Sequence, residues 1–238
     1  MRPIRIVVVS AALTLAAAVS LLPAQVANAQ PPSTTVIIPS NNATASGRSQ
    51  VLDATASPGV TQVQYAITGG ALTDSVIATA TPTLYGWIAL WNTTAVPNGT
   101  YTLQSVASSG GVTGTSPPVS LTVNNPPPST IMLVPANGAI QSQVDPLVMD
   151  AWAPAGVTQV VFNGTDGGGG IPFSVTATPT IYGWIGVIPG TPIPQSSCGP
   201  IPLAYSIDSV ASYSGGVSGT SAPVNITIDV WVPASGCF

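Results

Sequence analysis

The sequence predicts an all-β protein made of two tandem antiparallel β-sandwiches, each of about seven strands. Three observations predict it. The chain repeats itself at an offset of about a hundred residues. Short alternating segments are parted by turn residues at spacings near ten. No segment after the N-terminal apolar run carries a helical period.

The repeat is collinear. ATPTLYGWI at 80–88 returns as ATPTIYGWI at 177–185, an offset of 97. PPST at 31–34 returns at 127–130 and GVTQV at 59–63 returns at 156–160. SVAS at 105–108 returns at 209–212, and GGVTGTSPPV at 110–119 returns as GGVSGTSAPV at 215–224. The offset grows from 96 to 105, so the second copy carries small insertions. A unit this long exceeds a solenoid repeat, and each copy is expected to be a whole domain: 30–125 and 126–238.

Within the first copy the expected strands are 34–38, 50–56, 60–67, 74–80, 84–91, 100–108 and 118–123. QVLDATA alternates, with Leu52, Ala54 and Ala56 on one face, and Val63, Tyr65 and Ile67 share a face of the next segment. The second copy keeps the inward set as Met149, Ala151 and Ala153, then Val160 and Phe162, which a shared core demands. Tyr101 and Tyr205 correspond, early in the sixth strand, where each suits a tyrosine corner. The linker NNPPP, with Pro126, Pro127 and Pro128, is expected to be stiff and to keep the pair elongated. Count, size and spacing fit sandwiches of immunoglobulin type.

The first residues form a separate signal. Arg2 and Arg5 precede an apolar run from Ile6 to about Leu22, and Ala27-Asn28-Ala29 makes a small-residue cleavage site. Residues 1–29 read as a secretory signal peptide and Gln30 as the mature start. Ser10, Thr14 and Ser20 interrupt the run and argue against an anchor. Free secretion, without membrane insertion after cleavage, is the expectation.

The chain has no His, Lys or Glu, and beyond the leader Arg48 is its one cation, against seven Asp. Nucleic acid and anionic membrane surfaces are excluded as partners, since both require a basic face. Abundant Val, Ile and Leu exclude disorder.

The longer pattern resembles the tandem bacterial immunoglobulin-like domains of exported actinobacterial and other bacterial proteins. The segments that carry it are PSTTVIIPSNNATASG, the LDATAS–GVTQV step and VPNGTYTLQSVASSGG. The resemblance covers both copies and implies the fold; such domains serve as spacers, adhesion modules and enzyme accessories. The second copy departs where NTTAVPNGT becomes PGTPIPQSSCGPIP, in the connection between its fifth and sixth strands.

Catalysis has little to draw on: no His base, no Lys nucleophile, and Asp53 and Asp150 recurring once per copy on the outward register of a strand. Metal ligands and cofactor motifs are lacking as well. Asn124, Asn125 and Asp166 do not build a calcium loop. Cys198 and Cys237 lie in an insertion and a tail peculiar to the second copy, and in an exported protein they are expected to pair within that domain. The rival is an intermolecular bridge.

The remaining candidates are aromatic. Tyr85 and Tyr182 correspond, as do Trp87 and Trp184, in a segment apolar on both registers. The tryptophans are expected in the cores, with an exposed sugar-stacking strip as the other reading. Trp152 turns outward where copy one has Thr55. An extracellular structural or adhesion-type binding module is the expected function, acting on a protein or glycan that the sequence does not name. The alternative is an accessory module that binds cell-wall or environmental glycans.

Overall fold

The computed structural model describes residues 30–167, 170–195 and 197–233, without the side chains of Cys198 and Val232. The expected signal peptide, 1–29, lies outside the described residues. The first sandwich contains β1 (Thr34–Ile38), β2 (Ala43–Ala45), β3 (Gln50–Ala56), β4 (Gln62–Gly69), β5 (Leu72–Thr79), β6 (Thr81–Pro82), β7 (Trp87–Trp91), β8 (Gly99–Ser109), β9 (Val112–Thr115) and β10 (Val119–Val123). The second contains β11 (Ile131–Val134), β12 (Ile140–Ser142), β13 (Leu147–Trp152), β14 (Gln159–Asp166), β15 (Phe173–Thr176), β16 (Thr178–Pro179), β17 (Trp184–Ile188), β18 (Ser197–Ser212), β19 (Ser218–Thr220) and β20 (Val224–Pro233).

Both copies use one topology. A smaller sheet runs β1-β3-β7-β6 and a larger one β2-β10-β8-β4-β5, with β9 on β8; β11 to β20 repeat this order. Pairings are antiparallel except β2 on β10 and β12 on β20, which are parallel. This is the immunoglobulin-like sandwich the spacing predicted. Three short strands per copy, β2, β6 and β9 in the first, were beyond the reach of a periodicity reading.

Alternation places the cores. Leu52 and Ala54 from β3 meet Val63, Tyr65 and Ile67 from β4, Leu103 from β8 and Leu121 from β10, all sealed from solvent. Met149, Ala151, Val160, Phe162 and Ile207 do the same in the second copy. Each large apolar side chain so buried contributes about 1.5–3 kcal/mol. The two clusters share no residue, so each sandwich has its own core. Between the sandwiches, Gly215 N donates to Thr94 O at 2.9 Å, and the Arg48 stem lies against Gly156.

Several expectations need correction. The strand expected over 84–91 begins only at Trp87, because residues 83–86 form a turn. Trp87 and Trp184 are half-buried against their cores, and the fully enclosed indole is Trp91. Tyr101 makes its corner, Oη donating to Pro97 O at 2.8 Å. Tyr205 does not. The residues before it continue as strand, so no turn carbonyl lies four residues back, and its Oη instead accepts from Ile171 N at 3.1 Å. For the same reason the insertion expected as a loop over 189–202 becomes strand from Ser197 onward. It pairs with β20 as far as Ser197 opposite Pro233.

Polar pairing ties the two sheets together inside each core. Thr34 Oγ1 on β1 lies 2.8 Å from Ser105 Oγ on β8 and donates to Thr55 O. Ser105 N in turn donates to Ser116 Oγ at 3.0 Å. Thr130, Ser209 and Ser221 repeat the arrangement with the same distances between hydroxyls and to the amide. The recurring PPST, SVAS and GTSPP/GTSAP segments are therefore the three parts of one buried device. Thr34→Val leaves Ser105 Oγ buried without this partner and is expected to cost about 1–3 kcal/mol. Ser105→Ala added to it should cost less than the sum of the single changes, as measured by urea unfolding in a double-mutant cycle.

Candidate functional site: two matching aromatic hairpins

The nine-residue repeat forms the same hairpin in both copies. In the first, Thr83 Oγ1 accepts from Tyr85 N and Gly86 N, each at 3.1 Å, and donates to Gly86 O at 2.8 Å. Thr83 N also donates to Gly86 O. Thr180 does the same for Tyr182 and Gly183. One threonine thus satisfies the amides of a four-residue turn and leaves its two central side chains nothing to pack on. Leu84 is 100% exposed and Tyr85 87%; Ile181 is 91% and Tyr182 79%.

The glycine sets the depth of the turn. Gly86 has φ +153° and Gly183 φ +156°, in the region that favours glycine. A Cβ at either would collide with Asp53 Oδ1 or Asp150 Oδ1 and press on the carbonyl of Ala54 or Ala151. Asp53 and Asp150 stand on the outward register, as expected, facing Ile88 and Ile185 on the neighbouring strand. Their Oδ1 atoms are buried against the turn and accept no hydrogen bond among the described residues. Tyr65 approaches from the other sheet, its Oη donating to Trp87 O at the base of the hairpin. Burial first, and the Asp53 charge second, push that phenol above its ordinary value, so it stays a donor.

Around each hairpin the outer face of the smaller sheet is apolar. Ile38, Val51 and Leu90 are exposed in the first copy; Val134, Val148, Val187 and Trp152 are exposed in the second. Trp152, 47% exposed, sits opposite Ile131 on the adjacent strand. The structure therefore places Tyr85, Tyr182 and Trp152 in solvent. Sequence reasoning missed Leu84, which it assigned to a strand register, its counterpart Ile181, and the Asp–Gly contacts that set the turn. A Thr two residues before a Tyr-Gly pair was the available signal.

Cys237 lies outside the described residues, as does the Cys198 side chain, so the pairing expected of them remains a proposal. The backbone of Cys198 lies at the start of β18.

No protein-family model and no curated protein matches the chain. Among solved structures, it resembles the fibronectin(III)-like modules of Clostridium thermocellum CbhA at 17% identity and TM-score 0.31, over 87% of this chain and 97% of that one. It resembles the Yersinia pseudotuberculosis adhesin InvE at 15% identity and TM-score 0.39, over 84% of this chain and 59% of that one. An endo-beta-1,4-mannanase from Thermotoga petrophila matches at 14% identity and TM-score 0.33, over 42% of this chain and 21% of that one. The chain thus spans less than two thirds of the adhesin and of the mannanase. Likeness at this level carries no functional argument.

Gly86→Ala should destabilise the first sandwich by about 2–4 kcal/mol, combining backbone strain with the collision at Asp53. Leu84→Ala should leave its stability unchanged in the same denaturant titration. For the cysteines, the expected outcome is a monomer two mass units lighter than the dithiol form. Its reduction should lower stability by roughly 3–4 kcal/mol on the loop-entropy model. Free thiols or a linked dimer in non-reducing mass spectrometry would refute the pairing.

Proposed function

We propose that this chain is an exported, non-catalytic binding protein of the tandem immunoglobulin-like kind, which attaches to a protein surface outside the cell through its two aromatic hairpins. One observation carries the reading: both copies hold an aliphatic–tyrosine pair in solvent on a turn fixed by the same Thr, Gly and Asp. A rigid Tyr offers a large contact area with little rotamer entropy to lose, which is why it recurs at binding hot spots. Two such sites on one chain add avidity without new contacts. The leader supports export. The lack of His, Lys and Glu argues against acid–base and covalent catalysis, and the near-absence of cations against nucleic acid. No cofactor enters this reading. The half-exposed Trp152 favours glycan binding as the alternative, since a flat indole on a sheet face suits sugar stacking.

Retention of the fluorescently labelled protein on cell-surface material tests both. Tyr85→Ala and Tyr182→Ala should each weaken retention about tenfold, and the double variant should abolish it. Protease treatment of the surface should remove binding and a soluble polysaccharide panel should not compete. Competition by polysaccharide with indifference to protease would establish the glycan reading instead. Undiminished retention of the double variant would refute the hairpins as the site.

A further inference from the structure

The two sandwiches are closed differently at one end, and the duplication supplies an internal control. In the first, Trp91 fills the space between the sheets at the end of β7 and is 2% exposed. Behind it a short 3₁₀ turn, Thr93–Ala95, seals the end. Asn125 locks that turn from within: its Oδ1 accepts from Gly47 N at 2.8 Å and Thr93 Oγ1 at 2.7 Å, and its Nδ2 donates to Thr93 O at 3.0 Å. A groove of about 320 Å3 remains along Trp91.

Every part of that closure is replaced in the second copy. At an offset of 97 Ile188 stands for Trp91, and at 105 Val230 stands for Asn125. The segment equivalent to the 3₁₀ turn becomes the Pro-rich stretch before β18. The result is a cavity of about 500 Å3 between the sheets, walled by Leu147, Phe173, Ile188, Leu203, Ile228 and Val230. Gln141, Ser142, Gln143, Asp145, Thr191 and Tyr205 supply polar side chains on its lining. Among the described residues no basic side chain lines it, and the solvent-exposed Asp145 does.

We propose that this end of the second sandwich is a binding site for a small neutral or cationic aromatic compound of about two fused rings. The volume lies within the range of small-molecule sites, and the walls are apolar with few polar handles. The ring size follows from the missing side chain: the cavity lies where the first copy holds an indole. The charge follows from the described lining: an anion would leave water for apolar walls that offer it no cation among the described residues, and would pass the exposed Asp145 carboxylate.

The uncharged dye N-phenyl-1-naphthylamine is the probe, titrated into the full mature chain. We expect saturable binding of one dye per chain with enhanced emission, and at least tenfold weaker binding of the sulfonated analogue. Ile188→Trp, which restores the indole, should weaken dye binding tenfold or more. In the unaltered protein, dye-induced NMR shifts should centre on the methyls of Leu147, Ile188, Leu203 and Ile228. That measurement stands even if the variant fails to fold. Shifts centred elsewhere, equal binding of the sulfonate, or undiminished binding by a folded Ile188→Trp variant would overturn the proposal. So would dye binding seen only after removal of residues 234–238, which would make the chain's own C-terminal segment the occupant. Binding seen only when a dimer dissociates would assign the space to a second copy.

Discussion

A hydroxyl pair buried between two sheets underlies each half of this protein. The chain has one cation among its described residues, so ion pairs are not available to orient one sheet on the other. The Thr34–Ser105 contact and its counterpart Thr130–Ser209 do that work with neutral groups. Burying a hydroxyl is costly unless it is bonded, so the pairing is selective: other registers of β1 against β8 would strand both oxygens. Apolar burial drives the sheets together without direction; the hydroxyls select one alignment.

That alignment positions the hairpins. Once β3 and β7 are in register, Asp53 faces Ile88 and its carboxylate meets the Gly86 turn. The Oδ1 atoms of Asp53 and Asp150, buried and without a hydrogen-bond partner among the described residues, are energetically unfavourable, each by an amount on the order of 1–3 kcal/mol. The same geometry in both copies makes chance placement a poor account. A carboxylate oxygen packed on a glycine leaves the turn only one depth, and the tyrosine at its tip inherits that rigidity. Stability given up at the base of the hairpin becomes preorganisation at its tip.

Duplication gave two copies the same frame and freed the ends to diverge. The first copy closes its end with Trp91 and the hydrogen-bonded Asn125, and the neighbouring turn contacts Gly215 of the second copy. Among the described residues, the second copy bears no such contact on its equivalent end. Its β18 and β20 extend past their counterparts and its interior opens there. With Ile188 in place of the indole, the described residues leave the space between the sheets at that end less filled than in the first copy.

The sequence by itself determined the two sandwiches, their order and the inward faces of β3, β4, β13 and β14. The reason is that a period of two leaves no freedom once one face is apolar. It determined the outward setting of Trp152 by the same means, and Tyr101's corner by the turn that precedes the sixth strand. It failed where both registers were apolar. LYGWIALW could have been strand throughout; the Thr83 hydrogen bonds turn its first three residues, and the close approach of Gly86 to Asp53, residues 33 apart in the chain, fixes the depth of that turn. Tyr205's role and the open end of the second sandwich were likewise decided in tertiary structure. Both depend on which residues from distant strands share one space, and no local pattern records that.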